Sequence, residues 1–213
     1  MKITFIYDNT VYQKDLKADW GFSCLVEVEN TPRILFDTGT RGSILLGNME
    51  KLSIDPVSID EVFISHAHYD HMGGLSDFLK INSQVKVYIP DSCPAPSMAK
   101  EVIRVGQSRQ IHENVFSTGE LRGIEQSLAV KTDRGIAVIA GCSHPGVRNI
   151  LKAAAQFGKV YALVGGLHGF HEFEFLSDLE IVCACHCTRH IAEIKSLYPE
   201  KYISGGAGKV IVC

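Results

Sequence analysis

The stretch that decides the fold is VFISHAHYDHMGG, residues 62–74. It opens with a short apolar run that predicts a buried strand over 61–65. Four possible metal ligands then fall within six residues: His66, His68, Asp70 and His71. Side chains alternate along an extended chain, so His66 and His68 point to the same side, and the next two can turn back toward the same point. Neutral imidazoles and a carboxylate suit a zinc-class ion, so a metal site is predicted at the end of this strand.

The segments on either side alternate between strand and helix patterns. Strands are predicted over 2–8, 22–29, 33–39, 61–65, 86–89, 135–140, 159–164 and 209–212. Helices are predicted over 42–52, 70–79, 145–155 and 188–197. The proline-containing stretch 90–99 is interpreted as a surface loop, not a linker between domains. Strands in a meander, followed by strands that alternate with helices, predict an α/β or α+β sandwich in a single domain, residues 1–213.

Composition and charge exclude several classes of protein. The formal net charge is -3, whereas a nucleic-acid-binding surface is normally strongly basic. No apolar stretch approaches the roughly 20 residues that a membrane helix needs, and no signal peptide is visible. The expectation is a soluble cytoplasmic protein without a membrane partner. The seven cysteines do not indicate a disulfide framework, and Cys24 and Cys93 are expected to be small buried residues.

The sequence resembles the metallo-β-lactamase superfamily in the order and the context of its possible ligands. HAHYDH at 66–71 matches the HxHxDH signature of that family. The other matches are Asp37 in LFDTG, His144 in GCSHPG and His186 in CACHCT. The resemblance implies a four-layer αββα sandwich, with the site at one edge between the two sheets.

The resemblance also implies a role for each ligand. His66, His68 and His144 would hold one metal ion, and Asp70, His71 and His186 would hold a second. The expected cofactor is Zn²⁺, one or two ions, with Mn²⁺ or Fe²⁺ as alternatives. Hydroxide held by the metal would attack a carbonyl or phosphoryl centre, and Asp70 would orient it and relay its proton. Asp37 would accept a hydrogen bond from a ligand histidine.

Further motifs resemble a narrower subgroup of metal-dependent hydrolases, which includes the archaeal dihydropterin–ribofuranosylaminobenzene phosphate synthase. These are DNT (8–10), TGEL (118–121), EQSL (125–128), GGLHG (165–169) and GAGKVI (206–211). The chain departs from the general family where a bridging aspartate usually ends the strand KVYALVGG. His168 stands there and is interpreted as a ligand, a catalytic acid/base or a plain loop histidine. Arg189 replaces the usual glycine after HCT, and either binds an anionic substrate group or is a solvated surface arginine.

The remaining candidates have simpler interpretations. Cys183 and Cys185 could bind metal, but their alternation along a strand and the lack of a second cysteine pair favour core positions. Trp20 is interpreted as a rim or packing residue beside the pocket. Surface or packing roles are expected for His112, His171 and His190. The short segment 169–185 suggests a site that is open or covered by a partner, and a homo-oligomer is one possible form of that partner.

Several functions are compatible with these residues. The favoured one is a hydrolase of a small ester, lactone, amide or phosphate, with a pterin-type group-transfer synthase as the alternative within the subgroup. A nucleic-acid-processing enzyme is disfavoured by the net charge. A flavo-diiron protein is disfavoured because that class has a carboxylate where His68 stands and needs a flavin domain. A non-catalytic metal-binding or sensor module is also compatible with the ligand set.

Overall fold

The computed structural model describes all 213 residues, in thirteen β-strands and five α-helices. The strands are β1 (Lys2–Tyr7), β2 (Ser23–Glu27), β3 (Ile34–Phe36), β4 (Glu61–Phe63), β5 (Lys86–Ile89), β6 (Glu101–Arg104), β7 (Arg109–His112), β8 (Val115–Ser117), β9 (Leu128–Thr132), β10 (Gly135–Ala140), β11 (Val160–Gly166), β12 (Ile181–Cys185) and β13 (Val210–Val212). The helices are α1 (Gly42–Lys51), α2 (Tyr69–Met72), α3 (Leu75–Ile81), α4 (Val147–Ala154) and α5 (Ile191–Leu197).

The strands form two sheets. The first has the order β13-β1-β2-β3-β4-β5-β6, and the second has the order β12-β11-β10-β9-β8-β7. Strands β3 to β6 are parallel neighbours in the first sheet, and β10 to β12 are parallel neighbours in the second. Parallel strands are covered on both faces and therefore read as continuous apolar runs, such as GIAVIA in β10. Their carboxyl ends are where ligands bind in many α/β proteins.

Three apolar clusters define four layers. The largest lies between the sheets and includes Phe5, Phe36 and Phe63 from the first and Val164 and Cys183 from the second. Helices α1 and α3 cover the outer face of the first sheet. Helices α4 and α5 cover the outer face of the second sheet. The predicted αββα sandwich is confirmed.

The structure departs from the predicted helices around the key motif. The helix predicted over 70–79 is two helices, because α2 ends at Met72 and α3 begins at Leu75. A Cβ on Gly73 would lie 2.3 Å from the backbone oxygen of Thr40, so only glycine allows this close approach. The helix predicted over 188–197 begins only at Ile191. Four further strands, β6 to β9, were not predicted: β6 forms an edge of the first sheet, and β9, β8 and β7 extend the second sheet from β10 to its edge.

The structure bears on two further expectations, the burial of the cysteines and the presence of membrane-spanning helices. Cys24 and Cys93 are buried, as predicted, and Cys183 and Cys185 lie in the core between the sheets. None of the helices is both long and apolar enough to cross a membrane.

Candidate metal centre

The six predicted ligands meet at one edge of the sandwich. His66 and His68 follow β4, and Asp70 and His71 lie in the adjoining helix α2. His144 follows β10, and His186 follows β12. The two sheets therefore contribute side chains to one site at the carboxyl ends of their parallel strands.

The first donor group is formed by His66, His68 and His144. Their ring centroids lie 4.6 to 4.8 Å apart. His66 Nε2 is 3.0 Å from His68 Nδ1. His66 is buried, His144 is half-buried, and His68 is exposed to solvent. The group thus has one member deep in the protein and one at the surface.

The second donor group is formed by Asp70, His71 and His186. Asp70 Oδ2 lies 3.3 Å from His186 Nε2 and 3.7 Å from His71 Nε2. Both imidazole side chains are fully buried, and their ring centroids are 4.9 Å apart. A carboxylate and two imidazoles therefore converge within a space suited to one ion.

Asp37 connects the two donor groups, because it contacts His71 of the second group and reaches His66 of the first group through Ser65. Its Oδ2 lies 2.7 Å from His71 Nδ1 and accepts a hydrogen bond of 2.7 Å from Ser65 Oγ, while its Oδ1 accepts from Ser65 N at 2.7 Å. Ser65 Oγ is in turn 2.9 Å from His66 Nδ1. Burial raises the pKa of the Asp37 carboxyl well above its ordinary value, and the bonds from Ser65 oppose that rise. The position matches the role that the sequence implied for Asp37.

These bonds fix which imidazole nitrogen is available. In His66, His71 and His186 the Nδ1 atom faces an acceptor: Ser65 Oγ, Asp37 Oδ2 and, at 3.0 Å, Asn9 Oδ1. A proton on Nδ1 satisfies these acceptors and leaves the lone pair on Nε2. Each of the three histidines is therefore oriented with the nitrogen that binds metal ions pointing away from its anchor.

The histidines are also kept neutral. Burial, with the neighbouring His71 and His144, holds the pKa of His66 well below its ordinary value. Burial likewise holds the pKa of His71 well below its ordinary value. Burial, with the nearby His68 and His168, lowers the pKa of His144 to about 4. Imidazoles must be neutral to bind a metal, so these three are in the ligand form at neutral pH.

Asp70 is the negative charge among the donors. Burial raises its pKa, but the close contact with His186 and the proximity of His71 outweigh burial and hold that pKa below the ordinary value. Trp20 Nε1 donates to Asp70 Oδ2 at 2.9 Å, and the exposed indole lies 5.3 Å from the His186 ring. Trp20 is thus at the rim, as the sequence suggested, but it also positions the carboxylate.

The donor set fits a zinc-class metal ion. His144 Nε2 and His186 Nε2 are buried and have no hydrogen-bond partner in the protein. A buried polar atom without a partner is costly, and a cation is the partner that neutral imidazole nitrogen suits. Five histidines and one aspartate from both sheets are the ligands of zinc, manganese or iron chemistry.

No role was predicted for Glu125, which shapes the loop between β10 and α4. Its Oε1 accepts from the backbone N–H groups of Gly141, Cys142 and Ser143 at 3.0 to 3.1 Å, and its Oε2 accepts from His144 N at 2.8 Å. Burial raises the pKa of Glu125 to about 7. One buried carboxyl therefore sets the path of the backbone that carries His144. The motif EQSL includes this residue, but nothing local in the sequence indicates its target.

Cys142 is the second residue without a predicted role. Its Sγ lies 3.1 Å from His71 Nε2. It converges with the donor atoms of Asp70, His71 and His186, and separately with those of His66 and His144, each set lying within 4.8 Å of one another. The sequence offered only one signal, a cysteine two residues before a predicted ligand.

The two remaining site candidates lie outside the donor groups. His168 is exposed, and its ring centroid is 5.1 Å from that of His144. Arg189 is also exposed, lies in a turn before α5, and donates its backbone N–H to His168 O at 2.8 Å. Its predicted place at a helix start is wrong, because α5 begins two residues later. His112 bonds Glu61 at 2.7 Å, away from the site.

Four backbone positions around the site have left-handed conformations. The φ angles are 54° at Asp37, 61° at Ser143, 48° at His168 and 51° at His186. Each follows the carboxyl end of a strand, namely β3, β10, β11 and β12. Such angles are unfavourable for residues other than glycine, and they cluster at functional sites. Here they turn the chain sharply at the edge where the donors meet.

Comparison with known proteins gives a consistent result. The family model described as the metallo-beta-lactamase superfamily matches residues 21–144. A Methanocaldococcus jannaschii protein, 7,8-dihydropterin-6-methyl-4-(beta-D-ribofuranosyl)-aminobenzene-5'-phosphate synthase, is 28% identical over 98% of this chain and 95% of its own.

Solved structures agree with the fold. Tm1679, described as a metal-dependent hydrolase of the beta-lactamase superfamily, has a TM-score of 0.80 and 26% identity, covering 100% of this chain and 99% of its own. Zinc-bound PqqB from Methylobacterium extorquens has a TM-score of 0.67 and 11% identity, with 100% of both chains covered. The second likeness concerns the fold alone.

Proposed function

This chain belongs to the metallo-beta-lactamase superfamily, and on that premise we propose that it is a metal-dependent hydrolase of a small ester, lactone or phosphate-containing substrate. The proposed metal is zinc, with manganese or iron as alternatives. The proposed ligands are the first donor group for one ion and the second donor group for another. We also propose that residues 1–213 act as one domain with a small-molecule partner, without nucleic acid or membrane, and with a second copy of the chain as an optional partner.

One observation carries the proposal. Five of the six predicted ligand side chains fall in two convergent sets of donor atoms at one edge, and His68 lies beside them, with its Nδ1 3.0 Å from His66 Nε2. Two of the imidazole nitrogens, His144 Nε2 and His186 Nε2, are buried without a hydrogen-bond partner. A purely structural cluster would satisfy these atoms within the protein. A similarity of 26% identity over the whole chain to a metal-dependent hydrolase supports the same function.

The residues have distinct proposed tasks. Bound metal ions would supply Lewis-acid activation of water and of the substrate oxygen. Asp70, held by Trp20, is positioned to accept a proton from the attacking water. His168 is exposed beside His144 and is the proposed acid for the leaving group. Arg189 is the proposed contact for an anionic group of the substrate.

The alternative is a group-transfer synthase acting on a phosphorylated substrate. The similarity to the Methanocaldococcus jannaschii synthase runs from end to end of both chains. A cavity of about 390 Å³ is lined by Pro145, which follows His144, and by three cationic side chains and one anionic one, namely Arg122, Arg148, Lys152 and Glu172. Three cationic side chains next to a metal centre favour a substrate with a phosphate or another anionic group.

The test begins with metal content per chain, measured by elemental analysis on protein purified without chelator. Wild-type protein is expected to hold about two ions, and His66→Ala is expected to hold fewer. A panel of phosphoesters, lactones and esters is then assayed with the wild type and with Asp70→Asn. Wild-type protein that takes up neither zinc nor manganese would contradict the proposal. Metal binding without turnover of any class would favour a sensor module instead.

A further inference from the structure

Cys142 occupies the space between the two donor groups. Its Sγ is the only donor atom that belongs to both sets of convergent ligand atoms. The residue is 2% exposed, and the Sγ atom is 3.1 Å from His71 Nε2. No other cysteine is in either set, although Cys187 is buried nearby, with its Sγ 3.9 Å from the Cys142 carbonyl oxygen.

The surrounding loop is built to hold this sulfur in place. Glu125 Oε1 accepts from the Cys142 N–H at 3.0 Å, and Ser143 Oγ donates to Gly166 O at 2.7 Å. A Cβ on Gly141 would lie 2.2 Å from Ser65 Oγ, so glycine is needed for the loop to come this close to the first sheet. The backbone on both sides of Cys142 is therefore fixed, and its side chain has a defined direction.

Apart from Cys142, no residue contributes a donor atom to both convergent sets. The sequence lacks the aspartate that commonly bridges two metals in this superfamily, and His168, which stands in its place, belongs to neither set of convergent donor atoms. Independently of the cysteine, His186 Nε2 is fully buried, has no hydrogen-bond partner and faces the same space. An anionic atom shared by the two donor groups would add to the charge of Asp70 in balancing two cations there.

We propose that Cys142 is a thiolate metal ligand shared by the first and second donor groups. The inference rests on the proposed function only in requiring that metal be bound. On coordination the thiol loses its proton to solvent, and a sulfur–metal bond replaces the S–H bond. Thiolate is among the ligands that zinc and other late divalent metals bind well, so the sulfur would also favour these ions over magnesium or calcium.

Cobalt substitution tests the assignment directly. Co²⁺ bound by a thiolate gives a near-ultraviolet charge-transfer band that histidine and carboxylate ligands do not give. The wild type is expected to show this band, with intensity that grows through the second equivalent of Co²⁺. The Cys142→Ser variant is expected to lose it, whereas Cys187→Ser, which removes the neighbouring thiol, is expected to keep it.

The control outcomes separate the possibilities. A band that disappears in Cys187→Ser and persists in Cys142→Ser would overturn the assignment. A band that saturates at one equivalent would overturn the sharing of the ligand between groups. Circular dichroism and melting curves of both variants show whether each is folded.

A measurement on the wild type does not depend on any variant. Zinc X-ray absorption is expected to show a sulfur scatterer at about 2.3 Å together with nitrogen and oxygen ligands. Bound zinc with only nitrogen and oxygen neighbours would overturn the role of Cys142 and leave the proposed function standing. Absence of bound metal would overturn both.

Discussion

In the second donor group, every side chain has an anchor outside the group, whereas the first donor group has an exposed member with none. Trp20 holds Asp70, Asp37 holds His71, and Asn9 holds His186. In the first donor group, the exposed ring of His68 contacts only the neighbouring His66 by hydrogen bonding. The second donor group is thus held rigidly, and the first is open at its surface side.

The difference suggests a division of labour between the two groups. Preorganised ligands bind a metal ion with little rearrangement, because their rotamers are fixed by packing and outer hydrogen bonds. An exposed ligand leaves room for the substrate to approach. We therefore expect the second donor group to hold its ion more tightly and the substrate to enter over His68.

The largest effect is expected from Asp37→Ala, which removes the residue that serves both groups. The change leaves Ser65 N, Ser65 Oγ and His71 Nδ1 without their buried acceptor. Loss of a buried hydrogen-bond acceptor that leaves its buried donors unpaired costs about 3 kcal/mol of unfolding free energy. Urea unfolding of the metal-free protein measures it, with the exposed Asp133→Ala as the matched control. Equal stability of the two variants would show that Asp37 does not organise the site.

Metal removal is expected to have the next largest effect. A ligand that binds only the folded state at 100 times its Kd stabilises the protein by about 2.7 kcal/mol. Thermal melting with zinc and with chelator is expected to differ accordingly. The same comparison in His186→Ala is expected to show a smaller stabilisation than in His68→Ala, because His186 belongs to the better anchored group. The reverse order would show that the second donor group does not hold its ion more tightly than the first.

Glu125→Gln tests whether the first donor group depends on backbone anchoring. A glutamine can present one acceptor oxygen, but its amide N–H₂ would face the N–H of His144 or those of Gly141, Cys142 and Ser143. We expect a loss of about 2 kcal/mol in unfolding free energy and weaker retention of the ion at the first donor group. Glu113→Gln, an exposed glutamate, is the control. Unchanged metal retention would show that the loop holds His144 without Glu125.

Asn9→Ala removes one anchor of the second donor group without touching a ligand. Asn9 Oδ1 lies 3.0 Å from His186 Nδ1, and Asn9 Nδ2 donates to His186 O at 2.9 Å. Loss of such an outer partner lowers metal affinity by roughly 10- to 100-fold. Competition with a chromophoric chelator measures the change, and the exposed Gln13→Ala is expected to leave affinity as it is. A metal affinity within twofold of wild type would show that Asn9 does not support His186 as a ligand.

The smallest effect on metal binding is expected from His168→Ala. Its exposed ring lies outside both sets of convergent donor atoms, so the metal content should match the wild type. Turnover, once a substrate is known, is expected to fall through kcat with a smaller effect on KM. A loss of one ion per chain in this variant would instead make His168 a ligand and extend the first donor group.

The donor cluster at residues 66–71 was recognisable from sequence because its signal is local, whereas His144 and His186 were singled out through the family resemblance. HxHxDH places four possible donors in six residues after an apolar strand. The alternation of strands and helices predicted an α/β or α+β sandwich, and the family resemblance specified its four αββα layers. The short strands β6 and β7 were not predictable from sequence. Their side chains are largely exposed, and their sequences have neither the apolar run of a buried strand nor a clear alternation. Their place is decided by pairing with neighbours at the sheet edges.

The support of the site was not predictable for a different reason. Glu125 acts on four backbone N–H groups that lie 16 to 19 residues further along the chain. Every residue except proline has a backbone N–H, so the residue types at 141–144 do not indicate that a glutamate binds there. No sequence pattern therefore identified Glu125. Cys142 was missed because a free cysteine outside a disulfide framework is most often a small buried residue. Only the folded chain brings its sulfur between two groups of histidines.

The left-handed backbone at Asp37, Ser143, His168 and His186 has a consequence for laboratory evolution. Each such residue costs about 1–2 kcal/mol relative to a glycine at the same angles. A selection for heat resistance alone would therefore enrich glycine at these four strand ends. It would thereby remove His186 as a proposed ligand, Asp37 as the anchor of His71, and His168 as the proposed acid. Selection for survival at high temperature and selection for turnover should diverge first at these positions.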